Sequence, residues 1–298
     1  MKTVAILGPT ASGKTDLSLR LARRFGCAIL SLDSLAVYKE IDIASAKPTP
    51  EERGDIPHFG IDELRPDEPF SVATFLGLYR RAEAFCRERK RDLIIVGGTG
   101  FYLKALTEGI SDIPEPDESV RREVAARMRD LPAAYAYLER LDPDHAARLM
   151  PTDRYRIEKA LTIHALTGER PSDHFAAHPP RPLLPSVKLL EIAVDRDRLW
   201  RRIETRTDAM IAAGLVDEVA ALEKRYGRMP HPMKAIGIVE VLDYFDGRLA
   251  FAQMRERIAI HTRQLAKRQA TFNRTQFPEH PRLPAEEIEK IASETLQR

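Results

Sequence analysis

The stretch VAILGPTASGKT, Val4 to Thr15, sets an apolar run against a glycine-bounded loop, and LSLRLARRF (17–25) then opens an amphipathic helix. Gly8, Gly13, Lys14 and Thr15 fill the spacing G-x-x-x-x-G-K-[ST]. Between a strand and a helix this spacing has a mechanism: successive N–H groups and the helix N-terminus form a nest for anions. Gly8, Pro9, Thr10, Ala11, Ser12, Gly13, Lys14 and Thr15 are therefore the expected phosphate- or nucleotide-binding residues, ATP included. Lys14 adds a point charge, and the Thr15 hydroxyl suits Mg²⁺. The loop implies a polyphosphate without saying whose. An NTPase or kinase needs a base or water-positioning group, and often an acid on a later strand. The strand ending in VGGTG (96–100) has no such acid. Asp33, closing CAILSLD (27–33), is the one carboxylate at a predicted strand end near the loop. Metal partner and catalytic base both remain open for it.

Outward from the loop, TVAIL (3–7), CAILSLD (27–33), DLIIVGGTG (92–100) and VKLLEIAVD (187–195) read as strands. Helical spacing fills the segment from Phe70 to Arg91. Strands alternating with helices predict an α/β fold: a P-loop parallel sheet with helices on both faces and ligands at the strand ends. From Ile113 the texture changes. IPEPDES (113–119) leads into helical patterns at 119–130, 132–141 and 153–167, and HPPRPLLP (178–185) closes them. The expected division is a P-loop core of 1–112 and 186–298 with C-terminal helices, and a helical insertion of 113–185. After the last strand one long helix is predicted from Asp195 to about Tyr226, then helices at 232–247 and 250–270.

The chain has 298 residues, 43% hydrophobic and 31% charged, with a formal charge of +2. Any nucleic-acid role must therefore rest on local clustering. Residues 255–274 supply it: Arg255, Arg257, Arg263, Lys267, Arg268 and Arg274 face one acid, Glu256. The insertion, with eleven basic and twelve acidic residues, shows no such bias. Cys27 and Cys86 match no metal spacing and fit a reducing compartment. The apolar stretch before Gly8 is too short for a signal peptide, and no run approaches the roughly 20 residues of a membrane span. A cytoplasmic, monomeric protein with no membrane partner is expected, and the eight histidines read as structural.

The glycine loop, SLDSLAVYKEIDIASAKPT (31–49) and VGGTGFYLKAL (96–106) together resemble the tRNA dimethylallyltransferases, or tRNA isopentenyltransferases. AGLVDEV (213–219), AIG (235–237) and TRQLAKRQATFNR (262–274) are similar to the same family in the same order, so the resemblance runs over nearly the whole chain. It implies a transferase that moves a dimethylallyl group from dimethylallyl diphosphate to the exocyclic amine of the adenosine 3′ of the anticodon (tRNA position 37). Lys14, Thr15 with Mg²⁺, and Arg206 would neutralise the departing diphosphate. Asp33 would be the base, and Thr99 would stand at the reacting centre. Gly97, Gly98 and Gly100 would let backbone approach the ligand. Arg202, on the same helical face as Arg206, reads instead as a solvated residue among Glu204 and Asp208. The partner implied is the anticodon stem-loop. Its implied contacts are Asp33, Ser34, Leu35, Ala36, Tyr38 and Thr99, then Arg121, Tyr155, Arg156 and Lys159 in the insertion, with Lys234, Lys267, Arg268 and Arg274. Tyr38 reads equally well as a core residue. Ala36, Ile238 and Asn273 stand where many members carry Gln, Tyr and an aromatic or Leu, which bears on base recognition. No C-terminal Cys/His finger is present, so no zinc is implied. Two other readings share the loop: an adenylate isopentenyltransferase acting on free AMP or ATP, and a small-molecule kinase.

Overall fold

In the computed structural model, which describes residues 1–111 and 115–297, the apolar run after Lys2 forms β1 (Thr3–Leu7) at the centre of a parallel sheet. The other strands are β2 (Ala28–Ser31), β3 (His58–Phe59), β4 (Leu93–Gly97), β5 (Lys188–Ile192) and β6 (Arg282–Leu283). Among the described residues the order is β3-β2-β4-β1-β5-β6, with Val4 opposite both Ile94 and Lys188. Four helices precede the insertion: α1 (Lys14–Phe25), α2 (Pro50–Arg53), α3 (Val72–Glu88) and α4 (Gly100–Glu108). The insertion holds α5 (Glu118–Arg127), α6 (Leu131–Leu141), α7 (Pro143–Ala146), α8 (Arg154–Thr167) and α9 (Pro171–Ala177). After it come α10 (Arg196–Ala212), α11 (Leu215–Tyr226), α12 (Ile238–Phe245), α13 (Phe251–Gln276) and α14 (Ala285–Gln297).

The α/β class read from the sequence is the class observed. Side chains alternate across a strand, so Val4, Ile6, Ile29, Ile94, Leu190 and Ile192 share one face, packed with Leu17 and Leu21 of α1 and Ile288 and Ala292 of α14. Ala5, Leu7, Leu30 and Ile95 are buried on the other face. Each such leucine or isoleucine contributes roughly 1.5–3 kcal/mol by leaving water. With both faces covered, the strands read as continuous apolar runs rather than alternating ones. The carboxyl ends of β1, β2, β4 and β5 share one edge of the sheet, and the loop of Gly8–Gly13 leaves from its middle.

Chain contacts divide the protein into 1–107 with 184–298, and 108–183. The expected boundary at Ile113 lies outside the described residues. The smaller unit has its own core of Val124, Met128, Leu138, Ile157 and Leu161. Asp117, Asp130, Asp142 and Asp153 start α5, α6, α7 and α8, each accepting a bond from a first-turn N–H. A cap of this kind is worth about 1 kcal/mol.

Two features of the larger unit correct the sequence reading. The long helix from Asp195 is broken into α10 and α11, because Gly214 takes φ 101°, outside the helical region. The helix expected at 232–247 is a 3₁₀ turn, His231–Lys234, followed by α12, with Gly237 at φ 94° between them. β3 and β6, two residues each, carry no readable period.

Candidate active site

The loop after β1 is compact and closed on itself. Gly8 sits at φ 156°, where a Cβ would lie 2.9 Å from Ser12 Oγ and 3.3 Å from Ile192, and Gly13 at φ 93° starts α1. Ser12 N–H donates to Pro9 O at 3.2 Å. Lys14 Nζ folds back over the loop and donates to Pro9 O at 2.7 Å. Burial and the neighbouring Arg206 guanidinium pull the Lys14 ammonium down to about 7, against the opposite pull of Asp33 and Glu191. With no carboxylate in ion-pair range among the described residues, this cation is a candidate anion site.

Two cavities open on this loop. The first, about 540 Å³, is lined by Thr10, Ala11, Gly13, Lys14 and Thr15, by Gly97 and Gly98 beyond β4, and by Arg202 and Arg206 of α10. The second, about 360 Å³, is lined by Ser34, Leu35, Thr99 and Lys234, with apolar walls from Ile203, Met210, Ile236 and Ile258. Asp33, Arg206, Thr10, Ser45, Leu265 and Gln269 line both. The division of labour in the Asp33 carboxylate is clear. Oδ1 accepts from Leu35 N–H at 2.8 Å and Ala36 N–H at 3.1 Å, which caps the turn after β2. Oδ2 has no hydrogen-bond partner among the described residues. One oxygen holds position, and the other is left for a ligand. Burial lowers the pKa of Arg206 while Asp33 opposes the shift; a guanidinium nevertheless keeps its charge.

Several expectations need correction. Arg202 is not a solvated surface residue: its Nη1 donates to Ser12 O at 3.3 Å and lines the first cavity. The acids assigned to it are engaged by α13, Asp208 with Arg255 at 2.5 Å and Glu204 with Arg263. Tyr38 is 2% exposed, edge-on to Phe70, with burial raising its hydroxyl pKa. It is a core residue, not an RNA contact. Asp33 is not the only carboxylate near the loop. Glu191 of β5, opposite Leu7, is buried and bonded to Asn273 Nδ2 at 3.3 Å, His280 at 3.0 Å and Arg282 at 3.1 Å. The glycines at and after the end of β4 make room for protein, while Gly97 and Gly98 also line the first cavity. A Cβ would meet Leu32 at Gly97, Gln269 at Gly98, and Asn273 and Phe272 at Gly100.

Gln269 was missed. Its Oε1 accepts the Thr10 N–H at 2.8 Å, so α13 reaches the phosphate loop directly. The stretch TRQLAKRQATFNR held the signal, but weighing its charges alone hid the glutamine.

The remaining candidates divide by place. Ala36 is buried and lines the first cavity, whereas Ser34, Leu35, Thr99 and Lys234 line the second. Lys267, Arg268 and Arg274 are exposed on α13 with no ion-pair partner among the described residues, unlike Arg255 and Arg263. In the insertion, Arg121, Tyr155, Arg156 and Lys159 are exposed; Lys159 Nζ lies 5.8 Å from the Tyr155 ring, and Arg156 pairs with Asp153 at 3.5 Å. Ile238 and Asn273 are fully buried, so both departures from the family pattern sit in the interior. Among the described residues no cluster of three His, Cys, Asp or Glu is placed to hold a metal, and no helix is long and apolar enough to cross a membrane.

A family model described as IPP transferase matches residues 36–276, and one described as isopentenyl transferase matches residues 1–65. The chain belongs to the IPP transferase family. It is 48% identical to the tRNA dimethylallyltransferase of Sulfurimonas denitrificans, over 99% of this chain and 100% of that protein. The corresponding protein of Nautilia profundicola is 49% identical over 96% of this chain and 97% of its own length. Among solved structures, the full-length tRNA isopentenylpyrophosphate transferase of Bacillus halodurans is 33% identical with a TM-score of 0.70, covering 99% and 97% of the two chains. A eukaryotic dimethylallyltransferase captured acting on tRNA is 27% identical with a TM-score of 0.79, over 92% of this chain and 70% of that one. As an IPP transferase family member, the chain is a prenyl-transferring enzyme rather than a kinase.

Proposed function

We propose that the chain transfers a dimethylallyl group from dimethylallyl diphosphate to the exocyclic amine of the adenosine 3′ of the anticodon (position 37) in tRNA. The observation that carries this reading is the pair of cavities with Asp33 and Arg206 on their shared wall. The diphosphate occupies the first cavity, against the loop amides, Lys14 and Arg206. The adenine occupies the second, having left its stack to reach a buried donor. The C–O bond to the diphosphate breaks as the C–N bond forms. Lys14 and Arg206 stabilise the charge that gathers on the leaving group, and Asp33 Oδ2 takes the proton released from the amine. Thr99, in the second cavity, is placed to orient that amine.

Mg²⁺ fits the loop. Thr15 lines the first cavity, its hydroxyl has no hydrogen-bond partner among the described residues, and phosphate oxygens and water complete such a shell. When bound, the ion would add charge neutralisation at the diphosphate. The RNA backbone is held by the exposed cations Lys267, Arg268 and Arg274 with Lys234, and by Arg121, Tyr155, Arg156 and Lys159 of the insertion. A tRNA substrate suits the cytoplasm.

The test supplies Mg²⁺ and dimethylallyl diphosphate with unmodified tRNA, an anticodon stem-loop, or AMP. Prenylated adenosine forming in the two RNAs is the expected result. Transfer only to AMP, or transfer of an ATP γ-phosphate to some metabolite, would overturn the proposal.

A further inference from the structure

Three motifs that marked the family, IASAKP, AGLVDEV and AIG, have no part in the chemistry above, yet the fold brings them to one place. Glu218 of α11 accepts three consecutive backbone N–H groups from the segment before Ser45. Oε2 takes Asp42 at 2.8 Å and Ile43 at 2.7 Å, and Oε1 takes Ala44 at 2.9 Å. Gly237 lies beneath the same segment, where a Cβ would stand 4.0 Å from Ala44 Cβ. At the far end of α11, Arg225 and the Tyr226 hydroxyl hold Glu40 at 2.9 and 2.7 Å.

The segment needs outside support. Glu40 at φ 64° and Ala46 at φ 46° both lie in the left-handed region without being glycine, a conformation that persists only when neighbours enforce it. What the segment carries next is the cavity wall. Ala44 lines the second cavity, Ser45 both, and Ala46, Lys47 and Pro48 the first. Glu218 lines neither.

We propose that Glu218 is a positioning residue: its carboxylate fixes the wall that Ser45 contributes, and thereby the register between donor and acceptor across Asp33. This rests on the prenyl-transfer reading. Diphosphate binding depends on the loop, Lys14 and Arg206, none of which Glu218 touches. Ala46, Lys47 and Pro48 line the diphosphate cavity without being its charge contacts named above, so a misplaced wall lowers turnover far more than it weakens diphosphate; small misplacements cost up to about 10²-fold.

The experiment compares wild type, Glu218→Ala, Glu218→Gln and Leu222→Ala, the last removing a buried side chain of the same helix that carries no hydrogen-bonding group. At a temperature where all four remain folded, Glu218→Ala should lose at least about tenfold in kcat, with the Kd for inorganic diphosphate changed less than twofold. Its amides at 42–44 should exchange hydrogen faster. Glu218→Gln, which keeps one acceptor oxygen, should recover part of the loss, and Leu222→Ala should keep its kcat. A Glu218→Ala enzyme with wild-type kcat, or a loss matched by Leu222→Ala, overturns the assignment. A wild-type enzyme that transfers no prenyl group overturns the reading beneath it instead.

Discussion

The cations that line the cavities of the larger unit and the cations of the helical insertion are held in opposite ways. In the core, Lys14 and Arg206 point into cavities with no carboxylate in ion-pair range among the described residues, and both have their pKa lowered by burial. In the insertion, cations lie outside and pair locally: Arg122 with Glu118, Arg127 with Glu123, Arg156 with Asp153 and Arg170 with Asp173. Exposed pairs of that kind contribute about 0–1 kcal/mol. A part-buried cation without a carboxylate beside it costs the fold stability, and on the proposed reading the diphosphate supplies the missing charge. An exposed, paired one is a solvated face until an RNA phosphate competes for it.

The comparison breaks first at Asp33. Asp33→Asn keeps Oδ1 to cap the turn while Oδ2 becomes an amide nitrogen, so the fold should survive while kcat falls about 10²–10⁴-fold. Thermal unfolding and single-turnover prenylation measured on one preparation check both halves. Arg206→Ala should lower kcat/KM about 10²–10³-fold and weaken inorganic diphosphate in calorimetry.

The Lys14 shift sharpens the contrast through pH. With a free-site value of about 7 and a complex that requires the ammonium, the sign follows: above pH 7 binding takes up a proton. Affinity for Mg²⁺-free diphosphate should then fall as pH rises, by up to about tenfold per unit, and level off below 7. Calorimetry in buffers of different ionisation enthalpy measures the uptake, which Lys14→Met should abolish.

The smallest effects lie outside. Lys267→Ala should weaken tRNA binding several-fold and reduce the salt slope by about one. Arg122→Ala, which removes only an i,i+4 pair, should change stability by less than about 0.5 kcal/mol and leave the KM for tRNA unchanged. A large KM effect there would erase the distinction between the two regions.

What the sequence disclosed follows the range of the forces involved. The loop, β1, α1 and Asp33 are local: spacing and apolar runs name them without knowledge of anything distant. Arg202 and Gln269 were misread or missed because they meet the loop 190 and 259 residues away in the chain, and periodicity does not say which neighbour a helix face will find. Tyr38 shows the same limit, since an aromatic five residues beyond Asp33 looks alike whether packed on Phe70 or open to RNA. Gly214 was a different failure. A single glycine inside a helical pattern is tolerated often enough that its break at φ 101° shows only in the backbone.

The most direct test is a crystal structure with an anticodon stem-loop and the unreactive thiolodiphosphate analogue of the donor. The diphosphate should lie against Lys14 and Arg206 with the adenine amine within hydrogen-bond distance of Asp33 Oδ2. A purine ring in the loop cavity, or an Asp33 carboxylate turned away from the amine, would contradict the assignment.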